Sequence, residues 1–305
     1  MSGFCSIRIT GKRGSALGCV SCTGLIRDFA GVKDDIILHL REPSAIPIEA
    51  DSITPDLFAE RNRPEIEALP AFYGRRKVTL GDLFSVDGER SDSIVIQGDL
   101  QHVKKVGQGM SRGRIAVRGD AGPHLGAYMQ GGQISVQGNA GDWAGAHMEG
   151  GHIWIKGNAG HHVGAAYPGE KHGVNRGVII IEGNTGRELG ARARRVLIVA
   201  LGNVGDFAGA NMIAGSIFVF GRLGDRAGTG NKRGSIVAFG ELKEMLPTYR
   251  YECRHQPVFL RCYLNRMRHW GLPIAMDTAD GIFRRYTGDI TTIGKGEILV
   301  YDQPE

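Results

Sequence analysis

The chain has little cysteine, no long apolar run and no strong charge of one sign, and each shortage removes a class of protein. Five cysteines in 305 residues, at Cys5, Cys19, Cys22, Cys253 and Cys262, do not make a disulfide framework and fit a reducing compartment. No apolar stretch reaches membrane-spanning length, and the first residues lack the apolar core and cleavage site of a secretion signal. The expected location is the cytoplasm, with no membrane partner. A net charge of +5 is mild, and the basic residues lack interleaved aromatics, so nucleic acid is not an expected partner either.

What is abundant is glycine, 47 residues of it, and it is periodic. Units of the form Gly-x-x-Gly-x-x-x-Gly open at Gly119, Gly138, Gly157, Gly183, Gly202 and Gly221, and Gly240 opens where a seventh would start. The steps between them are 19, 19, 26, 19, 19 and 19 residues. A fixed period near 20 residues marks a solenoid, in which each unit buries its apolar side only by stacking on its neighbours.

Each unit ends in an alternating run such as His152-Ile153-Trp154-Ile155-Lys156. Two columns are predicted to point inward. One is Ile134, Ile153, Ile179, Ile198, Ile217 and Ile236; the other is Val136, Ile155, Ile181, Ala200, Val219 and Ala238. Small and β-branched residues suit stacked strands, and repeated glycine argues against helices. The residue after each opening glycine is usually Asn, which tolerates left-handed backbone and can form a ladder. The predicted fold is all-β: a right-handed parallel β-helix, with handedness from the crossover rule. Weaker rungs are expected at residues 93–98 and 114–118. The domain expectation is an N-terminal extension (1–35), an N-terminal α/β cap (36–90), the β-helix (91–240) and a C-terminal helical and strand cap (241–305). Thr54 or Ser52 is a candidate N-cap before Pro55. Residues 257–270 read as a helix with a stripe of Phe259, Tyr263, Met267 and Trp270.

Chemistry is harder to find. The Gly-x-x-Gly-x-x-x-Gly units are not followed by the Lys-Ser/Thr of a phosphate loop. His161 and His162 have no consistent column mates for a metal, and Cys19 and Cys22 lack a second ligand pair for zinc. Asp206 and Asp225 stand on neighbouring rungs near Arg187 and Arg226, which reads as a surface ion pair. No serine or cysteine has a recognisable catalytic partner. No catalytic, cofactor-binding or metal-binding residue is therefore expected.

Two features point to partners instead. Residues 169–176, including Gly169, Glu170, Lys171 and His172, are read as adding seven residues to one coil without disturbing its neighbours. Such an excursion is a candidate docking loop. The outward column also turns apolar along the chain, with Leu197, Val199, Phe218, Phe220, Val237 and Phe239 forming a face that needs covering by the C-terminal helix or by a partner.

The repeats, the Tyr167-Pro-Gly-Glu-Lys-His-Gly insertion and the Gly-Ser-Ile endings at Gly215 and Gly234 resemble the family of formylmethanofuran dehydrogenase C subunits, from about Ile36 onward. Within it the chain is most similar to the type found in the bacterial formyltransferase/hydrolase complex. The repeat alone is also similar to the C-terminal β-helix of the glutamate synthase large subunit. The resemblance implies a non-catalytic scaffold in formaldehyde oxidation to formate. Its partners would be a formyltransferase subunit, a metal-dependent hydrolase subunit and a further large subunit. A methanofuran-type carrier and a hydrolase metal would then belong to the complex, and this chain would bind no cofactor. The alternatives are the C subunit of an archaeal-type tungsten or molybdenum dehydrogenase reducing carbon dioxide, and a free-standing β-helix enzyme acting on polysaccharides.

Overall fold

The computed structural model describes residues 35–302, so the Cys19/Cys22 pair lies outside the described residues. Residues Phe259–Ala279 belong to a unit separate from Phe29–Val258 and Asp280–Glu305. In the larger unit the N-terminal elements are β1 (Ile36–Leu40), β2 (Ile48–Glu49), α1 (Pro55–Phe58), α2 (Arg63–Glu67), β3 (Pro70–Tyr73), β4 (Arg76–Thr79), α3 (Leu80–Leu83) and β5 (Phe84–Asp87). The repeating region holds β6 (Ser93–Gln97), β7 (Val103–Lys104), β8 (Arg114–Arg118), β9 (Gln133–Val136) and β10 (His152–Ile155). It continues through β11 (Val178–Ile181), β12 (Val196–Ala200), β13 (Gly215–Val219) and β14 (Ser235–Ala238). The C-terminal strands are β15 (Arg250–His255), β16 (Phe283–Gly288) and β17 (Gly296–Tyr301).

The molecule is strand-rich, and one sheet of thirteen strands dominates it. From β6 to β14 the long strands pair in parallel, in chain order and in one register. That register sets the core. Ile36, Ile94, Ile115, Ile134, Ile153, Ile179, Ile198, Ile217, Ile236 and Ile298 stand opposite one another in succession and are shielded from solvent. Each such side chain contributes about 1.5–3 kcal/mol by leaving water. β1 therefore precedes the repeats as a further level. After the repeats end, the chain returns so that β17 lies parallel to β14 and carries the column on.

Two further lines of hydrogen bonds link successive repeats. Single parallel bridges link Leu100, Ala121, Ala140, Ala159, Thr185, Val204, Leu223 and Leu242 in turn. On the third line the last glycine of each unit donates backward, as Gly145 does to Leu125 at 2.8 Å. Gly145 has φ +65°, and a Cβ there would lie 2.8 Å from Ile179 Cδ1. This corner therefore requires glycine for both conformation and space.

The asparagine ladder forms, but for a different reason from the one expected. Asn139, Asn158 and Asn184 each accept, on Oδ1, the backbone N–H of the next ladder residue at 2.8 Å. They are not left-handed; the left-handed non-glycine positions lie elsewhere in the unit. A second ladder runs through Asp142, which accepts the His161 N–H at 2.7 Å, and His161 Nδ1, which accepts the Arg187 N–H at 3.0 Å. Asp206 belongs to the same kind of contact and accepts the Asp225 N–H at 3.0 Å. The expected ion pairing with Arg187 and Arg226 does not form: Asp225 pairs with Lys243 at 3.0 Å, and Arg226 lies over the Phe207 ring.

The N-terminal elements add a second sheet in the order β4-β3-β2-β7. Thr54 is the N-cap of α1 by backbone position with Pro55 in its first turn, although its side chain makes no capping bond. Asn62 and Glu65 cap α2 reciprocally. The separate unit contains α4 (Leu260–His269), shorter than expected from sequence. Met267 and Trp270 are buried as expected, but Leu260 and Leu264 take the buried places expected of Phe259 and Tyr263, of which Phe259 is exposed and Tyr263 half-buried. A spacing of 260, 264 and 267 is the one that keeps side chains on one helical face.

Candidate functional site

The most unusual local structure is at two corner positions that recur along the repeats. His124, Trp143, His162, Glu188, Phe207 and Arg226 are left-handed, as are Tyr128, His147, Arg192 and Asn211. Such backbone is unfavourable for side chains of this size. The coils compensate by turning these N–H groups forward. Trp143 donates to His161 O at 2.9 Å and Tyr128 to Ala146 O at 2.8 Å, whereas the intervening glycine donates backward. The corner is thereby bonded to the coils on both sides.

In neighbouring coils these positions carry rings, and the inserted segment packs onto them. Tyr167 has ring centroids 4.9 Å from Trp143, 5.1 Å from His147 and 5.5 Å from His124. Its hydroxyl is 2.7 Å from His124 Nδ1, and its N–H donates to His147 Nε2 at 2.9 Å. Accepting on Nε2 requires His147 to be neutral, with its proton on Nδ1. Tyr128 stacks on His147 at 5.0 Å, and Trp143 on His162 at 4.3 Å.

Burial matches this arrangement. Desolvation lowers the His124 pKa below the ordinary histidine value, aided by Lys104 and Lys105 and opposed by Glu49 and Asp142. Desolvation also lowers that of His147, against Glu170. It pushes the Tyr167 hydroxyl up to about 12, with a smaller contribution from Tyr128. His124 and His147 are therefore held toward their neutral forms where the insertion packs on them.

The insertion boundaries need correction. Met129, Met148, Val174, Ala193 and Met212 occupy equivalent, fully buried positions at successive coils. Val174 thus fills the place of a core methionine, and the seven extra residues are 167–173 rather than residues within 169–176. The loop is tied down at its return: Val174 N–H donates to Gly164 O at 3.0 Å and Asn175 N–H to Met148 O at 2.7 Å. Arg192 Nη1 holds the Glu170 carbonyl. Glu170, Lys171 and His172 are exposed, and Gly169 has open space around its Cα. Beside the loop is an open cavity of about 440 Å³, lined among others by Tyr128, His147, Glu149, Glu170, Lys171 and Arg194.

The second expected partner surface is placed differently. Leu197, Val199, Phe218, Val237 and Phe239 are buried within this chain, and Phe220 is half-buried. Phe239 stacks on Phe220 at 4.4 Å and meets Phe283 of β16 edge-on at 5.6 Å. Among the described residues no group of three or more His, Cys, Asp or Glu side chains is placed to hold a metal, and no helix is long and apolar enough to cross a membrane. Cys253 and Cys262 are free thiols.

The comparisons with known proteins bear on this geometry. The GXGXG motif family matches residues 87–253, the stretch that contains the stacked coils. A chain of the X-ray crystal structure of the formyltransferase/hydrolase complex (FhcABCD) from Methylorubrum extorquens in complex with methylofuran is 37% identical, with a TM-score of 0.81. The similarity covers 88% of this chain and 100% of that one. The chain belongs to the GXGXG motif family, among the formylmethanofuran dehydrogenase C subunits. Curated relatives include the C subunit of tungsten-containing formylmethanofuran dehydrogenase 2 from Methanothermobacter marburgensis, 40% identical over 98 residues, which are 30% of this chain. Another is the C subunit of molybdenum-containing formylmethanofuran dehydrogenase 1 from Methanosarcina barkeri, 38% identical over 101 residues, 32% of this chain. The matched segments span 36% and 34% of those two relatives' lengths.

The ring cluster is the packed feature that the residue pattern did not reveal. A signal was present: His124, Trp143 and His162, and likewise Tyr128 and His147, are each spaced by 19 residues. Reading the histidines one position earlier in the unit placed them in a mixed column and concealed the pattern.

Proposed function

We propose that this chain is the non-catalytic scaffold subunit of a formyltransferase/hydrolase complex, working where formyl groups pass through a methanofuran-type carrier to formate. The supporting observation is the likeness to the FhcABCD chain, which extends over that whole chain at 37% identity. The shorter matches to dehydrogenase subunits favour the archaeal-type complex only as a second reading. In the primary reading the formyltransferase, the metal-dependent hydrolase and a further large subunit are the partners, in the cytoplasm. The carrier and the metal are bound by those partners.

The stacked coils fit a right-handed parallel β-helix, a rigid rod suited to a scaffold. Residues 36–90 and 241–305 would serve as its caps around the β-helix of residues 91–240, with β1 and β17 as the strands by which they join the stack. The loop of residues 167–173, with Gly169, Glu170, Lys171 and His172 outward, is the proposed docking element. The purified chain alone is expected to show neither formyl transfer nor formyl hydrolysis. Turnover by a verified-pure preparation, at a rate comparable to the assembled complex, would overturn the scaffold reading.

A further inference from the structure

The hydrogen-bond ladder fixes which surface residues share a corner. Asn175 donates to Met148, Arg194 to Val174, Ile213 to Ala193 and Lys232 to Met212, so Asn175, Arg194, Ile213 and Lys232 stack in one column. The next residue in each coil forms a second column, which holds Arg176, Arg195 and Arg233. Lys171 joins them, because it lines the same cavity as Asn175 and Arg194. All six cations are exposed. Arg195 reaches Asn175 Oδ1 at 3.3 Å, and none of the six forms a salt bridge among the described residues. Only Glu149 and Glu170 bring carboxylates to the cavity.

An ordinary surface intersperses charges of both signs. Here unpaired cations stand along one corner from the coil of Arg176 to that of Lys232, three coil spacings or about 14 Å, with Ile213 and Ala214 at the third of the four levels. We propose that this stripe receives an acidic, extended segment of a partner subunit, which runs along the corner and ends in the cavity beside Tyr128. The proposal rests on the reading of the chain as a complex subunit and specifies the chemistry of the contact. Carboxylates at a strand-like spacing of about 7 Å on one face meet cations one or two coils apart. Tyr128, exposed and stacked on His147, offers a flat apolar seat at the end of that run. A nucleic acid is the less suitable occupant, since no series of rings accompanies the cations to stack successive bases.

The experiment compares affinity-tagged chains expressed in the native host. Arg194→Glu with Lys232→Glu takes the six-cation stripe from +6 to +2. Arg75→Glu with Lys77→Glu makes the same charge change on the β3–β4 hairpin. Recovery of partner subunits is quantified across a salt series. The stripe variant is expected to lose roughly tenfold in partner recovery at low salt, with the control unchanged, as rim charges steer association. The neutral pair Arg194→Gln and Arg233→Gln should lose less, in the same direction. Thermal melts of the isolated variants, expected to match the parent, separate loss of contact from loss of fold. Full partner recovery by the stripe variant overturns the inference alone, as does loss of bound nucleic acid with partners retained. A parent chain that recovers no partner at all overturns the underlying reading as well.

Discussion

Replacing Gly145 by alanine tests the corner geometry directly. The backbone there is left-handed, at φ +65°, which costs a residue with a Cβ about 1–2 kcal/mol. The new methyl would also sit 2.8 Å from Ile179 Cδ1 and 3.2 Å from Ile153 Cδ1, in a column where every neighbour is buried. Overpacking of that kind costs about 1–3 kcal/mol. The expected loss is therefore about 2–5 kcal/mol. Gly169 supplies the control, because it too is left-handed, at φ +88°, but its Cβ would meet nothing within 4 Å. Gly169→Ala should lose the conformational part alone. Urea unfolding of the purified chain, followed by circular dichroism, measures both. If Gly145→Ala loses no more than Gly169→Ala, the inward packing of that corner is refuted.

Other perturbations probe different parts of the molecule. Gly205 is not left-handed, but a Cβ there would lie 2.8 Å from the backbone C and O of Gly186; Gly205→Ala should lower the melting temperature by several degrees, and an unchanged melt would contradict the close coil approach. His124 and His147 have lowered pKa values, so between those values and about 6.5 the unfolded chain binds more protons than the folded one. Stability should accordingly be full above that window and fall as pH drops through it; a urea midpoint independent of pH from about 7.5 to 5 would contradict the neutral imidazoles. Deleting residues 167–173 should preserve the stacked core, because Val174 stays in its column, but reduce recovery of partner subunits. Undiminished recovery would remove the docking role from the loop.

The parts of the fold visible in sequence are those that local chemistry and spacing determine together. The isoleucine column and the glycine corners recur at a fixed step, so one unit predicts the others, and the weaker rungs at β6 and β8 follow the same register. Beyond the repeat that logic stops. β17 restores the column with Ile298, and Gly296 precedes it as Gly234 precedes Ile236, so its strand is legible; its place beside β14 is not, because it comes after a long detour and without the Gly-x-x-Gly-x-x-x-Gly unit. β15 is exposed at nearly every position, which removes the alternation that betrays a strand. Val174 reads as part of a loop because only the ladder reveals that it substitutes for a methionine. The left-handed rings run against local preference, and the forward hydrogen bonds that hold them exist only once the coils have stacked. Local propensity could not have located the candidate site, although the 19-residue spacing of its rings could.

On the proposed reading this chain is built to be one part of a larger enzyme. Tagging it at its own locus, purifying under native conditions and identifying the co-purifying proteins by quantitative mass spectrometry tests that most directly. The expected result is formyltransferase and metal-dependent hydrolase subunits in fixed ratio to this chain through size-exclusion chromatography. Recovery of the chain alone, or with tungsten or molybdenum dehydrogenase subunits in their place, would contradict it.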